Sequence, residues 1–350
     1  MNFKRLILGG ALVILSVSLG VLIRGVEKDI WSRKIIVETA APIRENFSAS
    51  LSSFKNSPSI TLFFVGDIIL DRGVYQIIQK FGGSDFRFPF LKIADELQKA
   101  DLLFGNLEGP LSDKGEDLGS IYSFRMPPQG IEGLIFSGFD VLSVANNHVG
   151  DWGREAIKDT ILRLEDGGIR AIGAGFNEAE AYQPKILEAK GLKIAFLAFS
   201  DFLPYLEATK DKAGIAIANS DKIKLAIEKA KEEADFVIIS FHFGEEYQKI
   251  PNSRQEKLAQ LAIDSGADLV VGHHPHIVQL LKEYKGKYIA YSLGNFIFDQ
   301  GFSRETMKGG LLKVEIDTGN KNIESVKLYP VCLNKYFQPN FCDTGPNKTN

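Results

Sequence analysis

The sequence predicts an α/β fold with buried sheets, and three observations lead there. From Ile60 onward, short β-rich runs alternate with amphipathic segments of helical period. The runs are apolar throughout rather than every second residue, as expected of strands covered on both faces. Polar clusters follow directly on them, where α/β folds present their ligand sites.

Taken in chain order, the first feature is LILGGALVILSVSLGVLI at 6–23, uncharged throughout, preceded by Lys4 and Arg5 and followed by Arg24. It is just long enough to cross a bilayer and carries no A-x-A-like cleavage site, so residues 1–24 are expected to form an uncleaved N-terminal transmembrane helix. Lys4, Arg5 and the amino group outweigh Arg24 and the mixed VEKDIW stretch, which puts the bulk of the chain outside the membrane, on the extracellular or periplasmic side. Residues 25–58 mix charges with Ser and Asn and end at Pro58, the composition of a linker. A folded domain is expected over 59–335 and a tail over 336–350.

Within that domain the strand-like runs are ITLFFV, DLLFG, DVLSVA, LKIAFLAF, DFVIISF, ADLVVG, KYIAYSL and GLLKVEI. Helical patterns cover Phe90 to Lys99, Arg154 to Glu165, Asp221 to Ala234 and Arg254 to Ser265. The last opens on a Ser253-to-Glu256 capping-box pattern. Runs after Lys287 read as antiparallel hairpins, so a mixed sheet or a second sheet is expected. A 45% hydrophobic content is enough for a packed core, and a net charge of −3 offers no basic excess for nucleic acid. Two cysteines, Cys332 and Cys342, could pair in an exported protein or remain thiols.

The chemistry lies at the ends of the runs. Asp67 follows the first, Asn106 and Glu108 the second, and Asn146, Asn147 and His148 the third. His242, Glu245 and Glu246 follow DFVIISF, while His273, His274 and His276 follow ADLVVG. Asn295 and Asp299 follow KYIAYSL. All five histidines of the chain fall in these clusters. Imidazole, carboxylate and amide oxygen without thiolate make a donor set suited to one or two divalent ions such as Mn, Zn or Fe. His274 and His276 share a face if the chain there is extended, leaving His273 opposed; a coiled loop would change this, so which two bind stays open. Asp71 is a candidate catalytic carboxylate. Arg72, Glu245, Tyr247 and Asn295 are candidate substrate contacts, with Phe124 and Trp152 as candidate pocket walls.

GDIILDR, GNLEGPL, ANNHVGDWG, HFGEEY, GHHPH and SLGNFIFDQ, in this order, resemble the motifs of the bacterial capsule-synthesis CapA family, the poly-γ-glutamate biosynthesis proteins. Through it the chain is similar to calcineurin-like metallophosphoesterases. The resemblance implies a four-layer αββα sandwich with metals at the strand ends. It makes Asp67, Asn147, His242, His274 and His276 metal ligands, with His273 competing, and His148 either the general acid or a group that supports a ligand. Ile69 stands where that superfamily carries a His ligand. Asn106 and Glu108 stand where it carries a metal-bridging Asp. The implied function is metal-dependent hydrolysis or transfer on an extracellular anionic polymer such as poly-γ-glutamate. The alternatives are a non-catalytic accessory subunit working with other synthase subunits, or a phosphoesterase on a small substrate.

Overall fold

A computed structural model of the protein describes residues 59–342. The expected membrane helix at 1–24, the linker at 25–58 and residues 343–350 lie outside the described residues. Among the described residues no helix is long and apolar enough to cross a membrane.

The strands are β1 (Ser59–Ile68), β2 (Leu102–Leu107), β3 (Val141–Ser143), β4 (Arg170–Ile172), β5 (Ala174–Gly175), β6 (Lys185–Ala189), β7 (Leu192–Ser200) and β8 (Gly214–Ile215). They continue with β9 (Phe236–His242), β10 (Leu269–His273), β11 (Leu281–Tyr284), β12 (Lys287–Ala290), β13 (Asn295–Ile297), β14 (Lys308–Asp317), β15 (Ile323–Leu333) and β16 (Pro339–Phe341). One sheet runs β16-β15-β14-β1-β2-β3-β4, with β13 added beside the end of β1. A second runs β11-β12-β10-β9-β7-β6, and β5 and β8 form a small ribbon. Strands β1 to β4 are parallel, whereas β14, β15 and β16 are antiparallel.

Alternation along each strand explains the unbroken apolar runs. Ile60, Leu62 and Phe64 of β1 join Phe236 and Ile238 of β9 in a core between the two sheets. Phe63 and Val65 point the other way, onto Val74, Ile78, Leu134, Ile157 and Leu164. These come from the helices Arg72–Phe81, Gly130–Ser137 and Gly153–Asp166. On the far side, Val237, Ile239 and Phe241 of β9 pack against Ile223, Ile227, Leu258 and Ile263 of helices Ser220–Glu233 and Ser253–Asp264. The result is a mixed α/β sandwich of helices, sheet, sheet and helices.

Several local expectations shift. The segment from Phe90 to Lys99 holds only the end of a 3₁₀ turn, Phe88–Phe90, and one helical turn, Ala94–Leu97. The capping box lies one residue earlier than expected. Asn252 is the N-cap, accepting hydrogen bonds from the Arg254 and Gln255 backbone N–H groups, while Gln255 Oε1 accepts from the Asn252 N–H at 3.0 Å. Helices Arg72–Phe81 and Gly130–Ser137 are not among the expected helical segments, although the first is strongly amphipathic and buries Val74 and Ile78 on one face.

Cys332 and Cys342 form a disulfide across the β15–β16 ribbon, ten residues apart in sequence. By loop-closure entropy such a link stabilises by about 2–3 kcal/mol. The double replacement Cys332→Ser/Cys342→Ser is therefore expected to lower the unfolding free energy by about that amount, read as a lower urea midpoint. An unchanged midpoint would remove the link from the stability account.

Candidate metal centre

Strand register assembles the centre. Asp67 of β1 sits opposite both Asn106 of β2 and Asn295 of β13, and His242 of β9 sits opposite His273 of β10. Gly66 permits this close approach, since a Cβ there would lie 1.8 Å from the Gly294 carbonyl oxygen. Asp67 is fully buried and is reached from every side. The Asn106 amide donates to its Oδ1 at 2.9 Å, and the His274 backbone N–H donates to Oδ2 at 3.3 Å. His273 Nδ1 and His276 Nδ1 each lie 3.3 Å from one of its oxygens.

The GHHPH loop is coiled, with left-handed φ of 95° at His274 and 58° at His276, so side-chain alternation does not govern it and all three rings turn inward. Donor atoms gather in groups lying within 4.8 Å of one another: Asp67, Glu108 and His276; Glu108, His242 and His274; and Glu246, His274 and His276. His273 enters none of these groups, although it is fully buried. Asn147 Oδ1 lies 2.7 Å from His242 Nε2. Asn106 turns its oxygen away, to the Asn146 amide at 3.3 Å, and presents N–H to Asp67. Ile69 lies in the apolar core and supplies no donor.

A divalent ion fits these residues. Among the described residues, buried side-chain atoms without a hydrogen-bond partner include Glu108 Oε1, His273 Nε2 and His274 Nδ1. Each such atom costs roughly 1–3 kcal/mol if left unmet, and a cation would satisfy donors of this kind.

The electrostatics point the same way. Burial alone would raise the Asp67 carboxyl, but hydrogen bonds and charge from His273 and His276 hold it well below the usual range. Burial pushes Glu108 well above its usual value against the opposing charge of His276. Burial, reinforced by neighbouring imidazoles, lowers His242 well below its ordinary value and His274 to about 3, leaving both neutral. Burial would also depress His276, yet Glu108 and Asp67 lift it to about 9. The His276 group thus carries a proton at neutral pH that a dication must displace. Divalent-ion affinity is expected to rise as pH is raised from about 6 toward 9, with protons released into the buffer. Titration calorimetry at several pH values checks this, and a pH-independent affinity contradicts it.

Beside the donors, His148 stacks on Phe124 with ring centroids 3.9 Å apart. Its Nδ1 lies 2.8 Å from Asp151 Oδ2, an oxygen that also accepts from the Phe124 backbone N–H at 2.9 Å. A proton donated from Nδ1 to that carboxylate leaves Nε2 as the exchanging atom. Asn146 Oδ1 accepts from the backbone N–H groups of His148 and Val149, shaping the turn that presents both Asn147 and His148. Asp151 is not among the candidates the sequence offers, and its position three residues after His148 is the only sequence signal for the pair.

A cleft of about 300 Å³ opens here, its walls including Arg72, Tyr122, Phe124, His148, Glu246, Tyr247, His276, Asp299 and Phe302. Arg72 pairs with Asp299 at 3.2 Å and lies 5.0 Å over the Phe124 ring. Tyr247 is held by its backbone N–H on the Pro275 carbonyl at 2.8 Å, and its hydroxyl accepts from Gln300 at 3.1 Å. Four sequence candidates take other places than expected. Asp71 accepts from the Arg125 backbone N–H at 2.8 Å, and Glu245 accepts from the Asn252 amide at 3.3 Å. Asn295 is fully buried behind His276, with its Oδ1 3.0 Å from His276 Nδ1. It orients a donor ring where a substrate contact was expected. Trp152 packs under the Arg125 guanidinium at 3.4 Å.

The model of the bacterial capsule synthesis protein family PGA_cap matches residues 61–300, a span that contains every donor named above. The chain belongs to the PGA_cap family. It is 33% identical over 304 residues to the capsule biosynthesis protein CapA of Bacillus anthracis, covering 84% of this chain and 73% of that one. It is 35% identical over 246 residues to the PGA biosynthesis protein CapA of Bacillus subtilis, covering 69% of this chain and 64% of that relative, just under two thirds of its length. Among solved structures, it overlaps a crystal structure described as a novel phosphatase from Mycoplasma pneumoniae with a TM-score of 0.48 at 16% identity, covering 79% of this chain and 94% of that one. An overlap of that size assigns no activity.

Proposed function

We propose that this PGA_cap member is a divalent-metal-dependent hydrolase or transferase of metallophosphoesterase type, acting outside the membrane on an anionic surface polymer such as poly-γ-glutamate. The observation that carries the reading is the His148–Asp151 pair, which turns an imidazole Nε2 toward a cleft shared with His276, at the edge of a buried Asp/Glu/His donor set. Asp67, Glu108, Asn147, His242, His274 and His276 would hold the metal. When bound, it supplies Lewis-acid polarisation of a scissile carbonyl or phosphoryl group and activation of water at neutral pH. His148 delivers a proton from Nε2 to the leaving group, while Asp151 fixes its tautomer and Phe124 restricts its ring. Arg72, held by Asp299, offers a planar cation at the cleft wall for a carboxylate or phosphate of the substrate.

The names of the two CapA relatives support the polymer, and the Cys332–Cys342 disulfide supports an oxidising compartment. A second reading, a non-catalytic accessory subunit, draws on Ile69 and Asn106, neither of which offers a charged ligand. Incubating the Mn²⁺-loaded protein with γ-glutamyl polymer and with a generic phosphodiester tests the proposal. Cleavage or transfer of the polymer supports it. Turnover of the phosphodiester alone favours a small-molecule phosphoesterase, and turnover of neither favours the accessory subunit.

A further inference from the structure

We infer that the cleft carries an extended aromatic subsite, formed by Tyr122, Tyr247 and Phe302, that takes the methylene carbons between the anionic groups of a polymer chain; the inference rests on the polymer substrate of the proposed function. The cleft changes character from floor to rim. His148 and His276 are buried at its floor, whereas Phe302 and Tyr122 in the same wall are 67% and 65% exposed. A chain seated over the two histidines therefore passes these rings on its way out. Ile121, 93% exposed and next to Tyr122 in sequence, extends the apolar rim. Apolar side chains scattered singly over a surface need no explanation, but rings gathered around one polar cleft mark a contact surface.

The wall is built in advance of any ligand. Tyr247 holds a left-handed φ of 63°, a conformation disfavoured for a bulky residue. Its hydroxyl accepts from Gln300 Nε2 at 3.1 Å, Gln300 Oε1 accepts from the Asn295 amide at 3.0 Å, and Asn295 Oδ1 lies 3.0 Å from His276 Nδ1. Two amides thus tie the ring to a histidine of the floor. Phe302 meets Tyr247 edge-on, with centroids 5.2 Å apart, from a loop closed by the Thr306 hydroxyl donating to the Gln300 carbonyl. The residue before Gln300 is Asp299, which holds the Arg72 guanidinium with one oxygen and accepts from the Gly73 N–H at 3.0 Å with the other. One loop therefore sets both a cation and two rings, and a surface already ordered loses little freedom on binding. Arg72 alone accepts carboxylate and phosphate alike. The rings add a preference for aliphatic carbon, because each methylene they take out of water is worth about fourfold in affinity. A γ-glutamyl repeat offers methylenes beside every carboxylate.

Calorimetric binding of a γ-glutamyl oligomer and of free glutamate to the full-length, Mn²⁺-loaded protein tests this without any turnover. Phe302→Ala and Tyr122→Ala are each expected to weaken the oligomer on the order of tenfold, the worth of one to two methylenes left in water. Free glutamate and Mn²⁺ are expected to bind the two variants as they bind the wild type. Phe302→Tyr keeps the ring and is expected to bind the oligomer as the wild type does, which separates loss of the aromatic face from damage to the loop. Unchanged oligomer affinity in both alanine variants, an equal loss for free glutamate, or a loss in Phe302→Tyr as large as in Phe302→Ala would overturn the subsite. Oligomer bound with the expected losses but neither cleaved nor transferred would overturn the hydrolase reading alone. Oligomer cleaved by the wild type, with both alanine variants binding it equally well, would overturn the subsite alone. A wild type that binds no oligomer would overturn the subsite together with the polymer substrate.

Discussion

Replacing His242 by alanine is expected to strip the protein of its divalent metal and, with it, all measurable turnover. The ring is fully buried at the end of β9, kept neutral by burial, and has Nε2 beside Asn147 Oδ1 and Nδ1 within 3.4 Å of the Asn106 amide. No neighbour can swing into its place, because the adjacent β10 position already holds His273 and the surrounding strands are fixed by backbone pairing. Disturbing a residue that merely supports a ligand typically costs 10- to 100-fold in metal affinity, and deleting the ligand itself is expected to exceed that. Metal analysis and calorimetric titration with Mn²⁺ read the effect directly. A His242→Ala protein that retains wild-type metal would remove β9 from the centre.

The second large effect separates chemistry from metal binding. His148→Ala is expected to lower kcat by about 10²- to 10⁴-fold, the usual worth of a positioned general acid, while metal content stays at the wild-type level. His148 belongs to none of the donor groups, and its Nδ1 is committed to Asp151. Asp151→Asn should follow in the same direction, because an amide can present N–H to Nδ1 and stabilise the wrong tautomer. The expected signature for His148→Ala is a loss confined to kcat, with KM little changed. Loss of metal in His148→Ala, or unchanged kcat in both variants, would take the pair out of the mechanism.

Much of this was legible in the sequence because burial on two faces leaves a plain mark. Runs such as ITLFFV and DFVIISF are continuous because alternate residues face different cores, and the polar residues after them stand at the sheet ends. Roles that depend on register were not legible. Asn295 follows an apolar run and reads as a substrate contact, yet pairing of β13 with β1 buries it against His276. The three clustered histidines were ambiguous for a similar reason. Extended geometry would have split them, whereas left-handed backbone at His274 and His276 folds all three inward. Asp151 is not legible because its role lies in one hydrogen bond across a turn. Pairing of Cys332 with Cys342 followed only once β16 was seen to return along β15, bringing Asn340 opposite Cys332.

The departures from the superfamily pattern are local and readable in physical terms. Ile69 joins the apolar core under the first sheet, and Asn106 stabilises Asp67 as a neutral donor. Glu108 and His276 remain as a buried acid and base 3.6 Å apart, the carboxyl raised by burial and the imidazole, which burial would depress, raised by Glu108 and Asp67.

Metal analysis of the full-length protein, purified without chelator and then titrated with Mn²⁺ and Zn²⁺, tests the central claim most directly. The account predicts at least one tightly held divalent ion per chain, lost in His242→Ala and retained in His148→Ala. A protein that carries no transition metal and binds neither ion on titration would contradict it.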